Sequence, residues 1–290
     1  MSYCSVIHTQ ADTAADGGFQ WPWYLGLHGN LTIWNYAVGG AVCSNSLTPL
    51  NGAPDVSSQA MWFVEDHITA LGTKQQKLHL NPDELTVIIF IGTNDIGINS
   101  FVTNSQSPNV SLADVADCQL SSIRNLWALG ARNFILSSLI PLHLTGLYNG
   151  SSAPVIYWPV EHNGTVWHKG MFNLVNSLNR MLKDGVDILN AESKDKSLGA
   201  GKVEFFDAYR FFEEMYNQPA KYFNGSIPPD VLGHCHRCDV PTDWHFCGIG
   251  DCSLAERDSY MWWDELHPSE QTGRHLAAEI LKKIENKSTY

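Results

Sequence analysis

Leu85-Thr86-Val87-Ile88-Ile89-Phe90-Ile91 is a nearly unbroken run of apolar, mostly β-branched side chains. A strand with one face in water alternates polar and apolar residues, whereas a strand covered on both faces reads as continuously hydrophobic. The run therefore predicts a buried strand, and with it a sheet flanked by helices. The rest of the chain agrees. Leu31–Val38 reads as a short strand entering a Gly-Gly turn, and Asp55 can cap a helix running to about Leu71 with Ala60, Phe63, Val64, Ile68 and Leu71 on one face. Ser111 with Asp114 opens a second helix that Gly130 closes, and Asn133–Leu139 forms the next strand, ending before Pro141. A long amphipathic helix occupies much of Thr165–Ala191. Lys202–Asp207 is a further strand, followed by a short aromatic helix through Tyr216 and a last helix from Ser269 to Glu285. Strands alternating with helices require crossover connections, which define an α/β fold with a parallel sheet.

Composition narrows the class. With 44% hydrophobic and 17% charged residues, the 290-residue chain has enough apolar material for a core and too little charge for disorder. Residues 1–290 are expected to form one domain, with a Cys-rich loop over 218–260. The formal charge of −12 and the lack of a basic run argue against nucleic acid and anionic membrane surfaces as partners.

The sequence carries six Asn-x-Ser/Thr sequons, at Asn30, Asn109, Asn149, Asn163, Asn224 and Asn286. Its composition would place about 2.5 by chance, so the excess points to a glycoprotein of the secretory pathway. Four of the seven cysteines (Cys235, Cys238, Cys247 and Cys252) fall in a segment without helical or strand periodicity. Disulfides pinning a long loop suit an oxidising compartment. The rival reading is a zinc site built from these cysteines with His234, His236 and His245. Met1–Gln20 is polar and has no apolar core of a signal peptide. A secreted, extracellular character without that signal suggests an N-terminally incomplete chain, and the odd cysteine count fits either a lost partner or one free thiol.

Doubly wound sheets place their chemistry at the carboxyl ends of strands. At the end of the first run stand Gly92-Thr93-Asn94-Asp95, where the Asn94 amide either orders a turn or donates to a developing oxyanion. After Leu31–Val38 comes Gly39-Gly40-Ala41, either an ordinary turn or a place where backbone N–H meets a ligand. Near the C-terminus, Trp262-Trp263-Asp264-Glu265-Leu266-His267-Pro268 sets a carboxylate three residues from an imidazole. That spacing suits a general base oriented by an acid, or simply a capping Asp and a surface His.

Together and in this order, NYAVGGA, FIGTNDIG and WWDELHPSEQTGRHLAAEI resemble the later sequence blocks of the GDSL, or SGNH, hydrolases. The wording is closest to fungal members of carbohydrate esterase family 16. The resemblance implies a three-layer α/β/α, flavodoxin-like fold and hydrolysis of carboxylic esters, typically acetyl groups on plant-wall oligosaccharides, without a cofactor or metal. It implies that His267 is the general base, that Asp264 orients it, and that the Gly40 N–H and the Asn94 side chain form the oxyanion hole. The family's nucleophile sits in Gly-Asp-Ser after a first strand that lies centrally in sheet order 2-1-3-4-5, and no Gly-Asp-Ser occurs in this chain. The nucleophile is therefore unassigned: Ser2 and Ser5 lack the context, with Ser5 the one to test, and Ser44 belongs to the wrong element. The first strand is accordingly expected to be missing and the chain inactive. A catalytically dead carbohydrate-binding protein on the same fold is the alternative.

Other residues carry weaker signals. Trp158, Trp167 and Trp263 are the aromatic residues to inspect for sugar stacking. Asp95 is expected to order its turn, Asp207 to cap the following helix, and His143 and His162 to be solvated loop histidines.

Overall fold

The computed structural model describes residues 18–50, 52–67, 82–194, 200–236 and 252–290. They form two compact units. One is built from the N-terminal part through Asn35, Ile140–Phe172 and Tyr209–Tyr290; the other comprises Tyr36–Leu139 and Asn173–Ala208.

The second unit holds the sheet. Strands β1 (Thr86–Ile89), β2 (Asn133–Ser137) and β3 (Lys202–Phe206) run parallel in the order β1-β2-β3. Val87 pairs with Phe134, and Phe134 with Val203, so apolar residues lie side by side across the ladder. Beside the one-turn α3 (Thr93–Ile96), which carries Asn94 and Asp95, two helices of this unit follow their sequence signals. Helix α2 (Val56–His67) starts where the Asp55 carboxylate accepts the Ser58 N–H at 3.0 Å. Its expected continuation through Ile68 and Leu71 lies outside the described residues. Helix α4 (Leu112–Ala128) begins with a capping box in which the Asp114 carboxylate accepts both the Ser111 N–H and the Ser111 hydroxyl, at 2.7 and 2.6 Å. It ends before Gly130, whose φ of +113° suits the left-handed turn that stops a helix.

Helix α5 (Gly164–Lys194) buries Met171, Val175, Leu178, Leu182, Val186 and Leu189 along one stripe, at steps of three and four. At Gly185 a β-carbon would come within 2.3 Å of the Leu120 side chain, so this glycine lets α5 approach α4 closely.

In the first unit, α1 (Trp21–Gly29) packs on α7 (Glu270–Ile284). Helix α6 (Ala208–Asn217) directly follows Asp207 and buries Phe211, Phe212 and Met215. A two-stranded parallel pair, β4 (Asp230–His234) and β5 (Tyr260–Trp262), leads into the turn before α7, where Ser269 caps the helix by accepting the Thr272 N–H.

Two expectations fail. Leu31–Val38 is in no strand of the described sheets. The strand expected to be buried on both faces is only half-buried at Thr86, Val87 and Ile88. Residues 1–17, including Ser2 and Ser5, lie outside the described residues.

Two disulfides are present among the described residues. Cys43 joins Cys118 in the sheet-bearing unit, a pairing the sequence did not suggest. Cys235 joins Cys252 and, with Trp263 and Tyr260, forms a small apolar cluster. This bond takes the two outer cysteines of the four out of any zinc set. Cys238, Cys247 and His245 lie outside the described residues, among which no group of three or more metal-ligating side chains converges. The disulfides are compatible with secretion, and no described helix is long and apolar enough to cross a membrane. All six sequon asparagines are exposed.

Candidate active site

The Asp264–His267 pair is assembled almost entirely by its own turn. The Asp264 Oδ1 accepts the backbone N–H groups of Leu266 at 2.8 Å and of His267 at 2.6 Å. With both amides bound, the chain curls back so that the imidazole Nδ1 of His267 lies 3.0 Å from Oδ2 and 3.2 Å from Oδ1. The Trp263 N–H donates to the His267 carbonyl at 2.8 Å, which closes the turn from the other side. Asp264 is buried, while about a third of the His267 side chain is exposed. A buried carboxylate orienting an accessible imidazole leaves Nε2 as the nitrogen able to take a proton.

Burial alone would push the Asp264 carboxyl up. The hydrogen bond and charge of His267, the hydroxyl of Tyr157 and the His267 amide outweigh that penalty and hold it below the ordinary carboxylate range. Tyr157 is a member of this group that sequence reasoning missed. Its hydroxyl donates to Asp264 Oδ2 at 2.5 Å and lies 3.0 Å from His267 Nδ1. It reaches the pair from more than a hundred residues away, on a loop without periodicity, so no local signal could have found it.

The other two motifs lie in the sheet-bearing unit, where they are fastened to each other. Gly40 has φ +78° and Gly92 has φ +120°, conformations that glycine adopts without steric cost. The space where a Gly92 β-carbon would stand is already approached to 3.0 Å by the Gln119 and Leu139 side chains. The Asn94 amide donates to the Ala41 carbonyl at 2.9 Å. An amide nitrogen carries two hydrogens, so a second donor position is left over from this bond. Asp95 orders the turn, as its position suggested: both carboxylate oxygens accept the Cys43 N–H, at 2.9 and 3.1 Å. The Cys43–Cys118 disulfide ties the same backbone to α4. Asp95 has no exposed surface, and burial raises its carboxyl to about 6 against the opposing effect of the Cys43 amide and of its own.

Ser44 is engaged with Ser46, the hydroxyls lying 2.8 Å apart within one turn. The histidine expected to be solvated, His143, is buried instead. Its ring meets Phe172 edge-on at 5.0 Å and lies 6.1 Å from that of Tyr209. Burial, with the nearby His168 as a second cause, lowers its pKa to about 4. It is neutral at physiological pH, and the aromatic packing explains why it sits inside. His162 lies half-buried 4.2 Å from the Trp167 ring. Of the three tryptophans considered for sugar stacking, Trp263 is only 4% exposed, stacked on His236 and covered by Arg257. Trp158 and Trp167 are half-buried and packed edge to face on each other at 5.3 Å.

Across residues 9–280 the chain matches the GDSL-like Lipase/Acylhydrolase family, and it belongs to that family, whose members are carboxylic ester hydrolases on a three-layer α/β/α fold. Among its relatives, an acetylesterase of Hypocrea jecorina is 29% identical over 98% of this chain and 82% of its own length. A thermolabile hemolysin of Vibrio parahaemolyticus is 21% identical over 94% of this chain, which spans 56% of that protein. A GDSL esterase/lipase of Arabidopsis thaliana is 26% identical over 88% of this chain and 70% of its own length. The resemblance read from the three motifs is thus the family to which the chain belongs.

Proposed function

We propose that the protein is a secreted, glycosylated acetylesterase of a single SGNH domain, removing acetyl groups from plant-wall oligosaccharides by Ser-His-Asp chemistry without a cofactor. The observation that carries the reading is the 3.0 Å contact between Asp264 Oδ2 and His267 Nδ1 in a chain of an esterase family. In this scheme His267 Nε2 removes the proton from a serine hydroxyl as it attacks the acyl carbon, then returns it to the departing sugar oxygen. Asp264 stabilises the imidazolium formed in between. The negative charge that gathers on the acyl oxygen is met by the Gly40 N–H and the Asn94 amide. The acetylesterase from Hypocrea jecorina supports the choice of acyl group, and the six exposed sequons and two disulfides support the compartment.

No residue is assigned as nucleophile, because the sequence has no Gly-Asp-Ser. The 290-residue chain is therefore expected to show no His267-dependent turnover, and the same chain carried behind a segment bearing a strand and Gly-Asp-Ser is expected to gain it. The test is acetate release from acetylated xylo-oligosaccharides and p-nitrophenyl acetate by both forms and by their His267→Ala variants. His267-dependent release by the short form would overturn the unassigned nucleophile. Its absence from the extended form would overturn the esterase.

A further inference from the structure

We infer that Tyr157 is a positioning residue for the Asp264–His267 pair, a third group that fixes how the two share a proton; the inference rests on the esterase reading above. The geometry is specific. An ionised carboxylate offers about four acceptor positions, and four donors converge on Asp264. The Leu266 and His267 amides take Oδ1, while the Tyr157 hydroxyl and the imidazole share Oδ2. The phenol must donate to Asp264, since a carboxylate can only accept. Its oxygen, 3.0 Å from Nδ1, then presents lone pairs to the same imidazole nitrogen. Nδ1 thus faces two acceptors, the carboxylate and the phenol oxygen. It is held as N–H, and the unprotonated nitrogen that acts as the base is then Nε2.

The phenol is also built to stay where it is. Val155 and Trp158 exchange both backbone hydrogen bonds at 3.0 Å, which puts Tyr157 in the tip of a two-residue turn. The next residue, Trp158, is braced against Trp167 of α5. The Tyr157 ring meets His267 at 5.5 Å and 63°, an edge contact that restrains rotation of the imidazole about its Cβ–Cγ bond. Burial and the charge of Asp264 push the phenol far above its ordinary range, so it remains a donor at every pH at which an esterase works.

Two effects on His267 oppose each other. Donation to Asp264 disperses the carboxylate charge and weakens its hold on the imidazolium, whereas the lone pair facing Nδ1 strengthens it. The 2.5 Å bond outweighs the 3.0 Å contact, because it is the shorter and ends on the ionised oxygen, whereas the single Nδ1 hydrogen is divided between the phenol and Asp264. Asp264 and Tyr157 contact His267, and Glu265 acts electrostatically on Tyr157. Removing the hydroxyl while keeping the ring therefore raises the pH at which His267 loses its proton.

The experiment needs no turnover. In the 290-residue protein labelled with 15N-histidine, the His267 resonances are identified by their loss in His267→Ala and followed from pH 4 to pH 9. In the unsubstituted protein His267 is expected as the Nδ1–H tautomer, with a hydroxyl proton of Tyr157 protected from exchange. Tyr157→Phe should raise the His267 midpoint by about half a pH unit, a threefold change in proton affinity, and admit the other tautomer. Asp264→Asn, which removes the charge, should lower it and so calibrates the response. An unchanged midpoint and tautomer in Tyr157→Phe would overturn the inference, as would a Tyr157 hydroxyl proton in free exchange in the unsubstituted protein. The second measurement holds even if the variant folds poorly. Failure of the esterase reading is seen separately, as absence of His267-dependent acetate release from the extended form.

Discussion

Each unit of the protein buries an aspartate at a motif, and the two aspartates behave in opposite ways. Asp264 collects two amides, a phenol and an imidazole, and is held ionised below the ordinary range. Asp95, wholly buried, has only the Cys43 amide, shared between its oxygens, and its own amide, and is raised to about 6. Burial is common to both, so the number of donors and the charge of His267 decide the sign. A carboxylate with four partners is a charge the fold can use; one with two backbone amides is a charge the fold tolerates. Asp95 does mechanical work, joining the turn after β1 to the turn at Cys43, and its ionisation is a cost of that position.

The sharpest way to break this contrast is to remove each carboxylate. Asp264→Ala strands four donors in a buried turn and should cost about 3–5 kcal/mol of stability, read as a drop in the urea midpoint. An effect below 1 kcal/mol would mean that water replaces the carboxylate and that the donors do not depend on it. The next effect concerns what lets the poorly solvated Asp95 stay buried. The Cys43–Cys118 bond closes a loop across 75 residues, and replacing both cysteines by alanine should cost about 2–5 kcal/mol and loosen the Cys43 amide. Faster hydrogen exchange at that amide would show the coupling.

The smallest effect carries the sign of the comparison. A carboxyl raised in the folded state favours its protonated form, so its stabilising contribution is full below the unfolded value near 4 and is lost as pH rises through about 6. Asp95 therefore costs about 2–3 kcal/mol at pH 8 relative to pH 4. Asp264, lowered instead, contributes above the unfolded value and loses its contribution as the pH falls through its folded value. Urea unfolding of Asp95→Asn beside the unsubstituted protein at pH 5 and pH 8 isolates the first term. The variant should be relatively more stable at the higher pH, and equal differences at both would abolish the distinction.

How far the sequence reached follows the range of the interactions involved. The α4 capping box, the Ser269 cap and the i,i+3 pairing of Asp264 with His267 are local, and each was legible. Helix α1 was not, because Trp21–Gly29 has no side-chain cap and its aromatic residues are spread around the helix rather than along one stripe. Strands β4 and β5 were missed for a related reason. Asp230–His234 has a glycine and little alternation, and its pairing is set by Tyr260–Trp262, some thirty residues on. His143 looked like a loop histidine because the rings of Phe172 and Tyr209 that enclose it come from distant segments. Tyr157 was invisible in the same way. The Asp264–His267 half of the candidate site could be read from the sequence; its third partner needed three dimensions.

The turn that assembles Asp264 and His267 has a consequence for the order in which the molecule can form. The entropy lost on closing a loop grows with its length, so contacts across three residues are among the least costly a chain can make. The carboxylate can gather the Leu266 and His267 amides before any distant segment arrives, and Tyr157, joining from 107 residues away, is a late addition to an arrangement already set. An orientation the chain can find locally is also one it can recover locally. After a partial opening that releases the Tyr157 loop, the acid and the base are expected to stay in register.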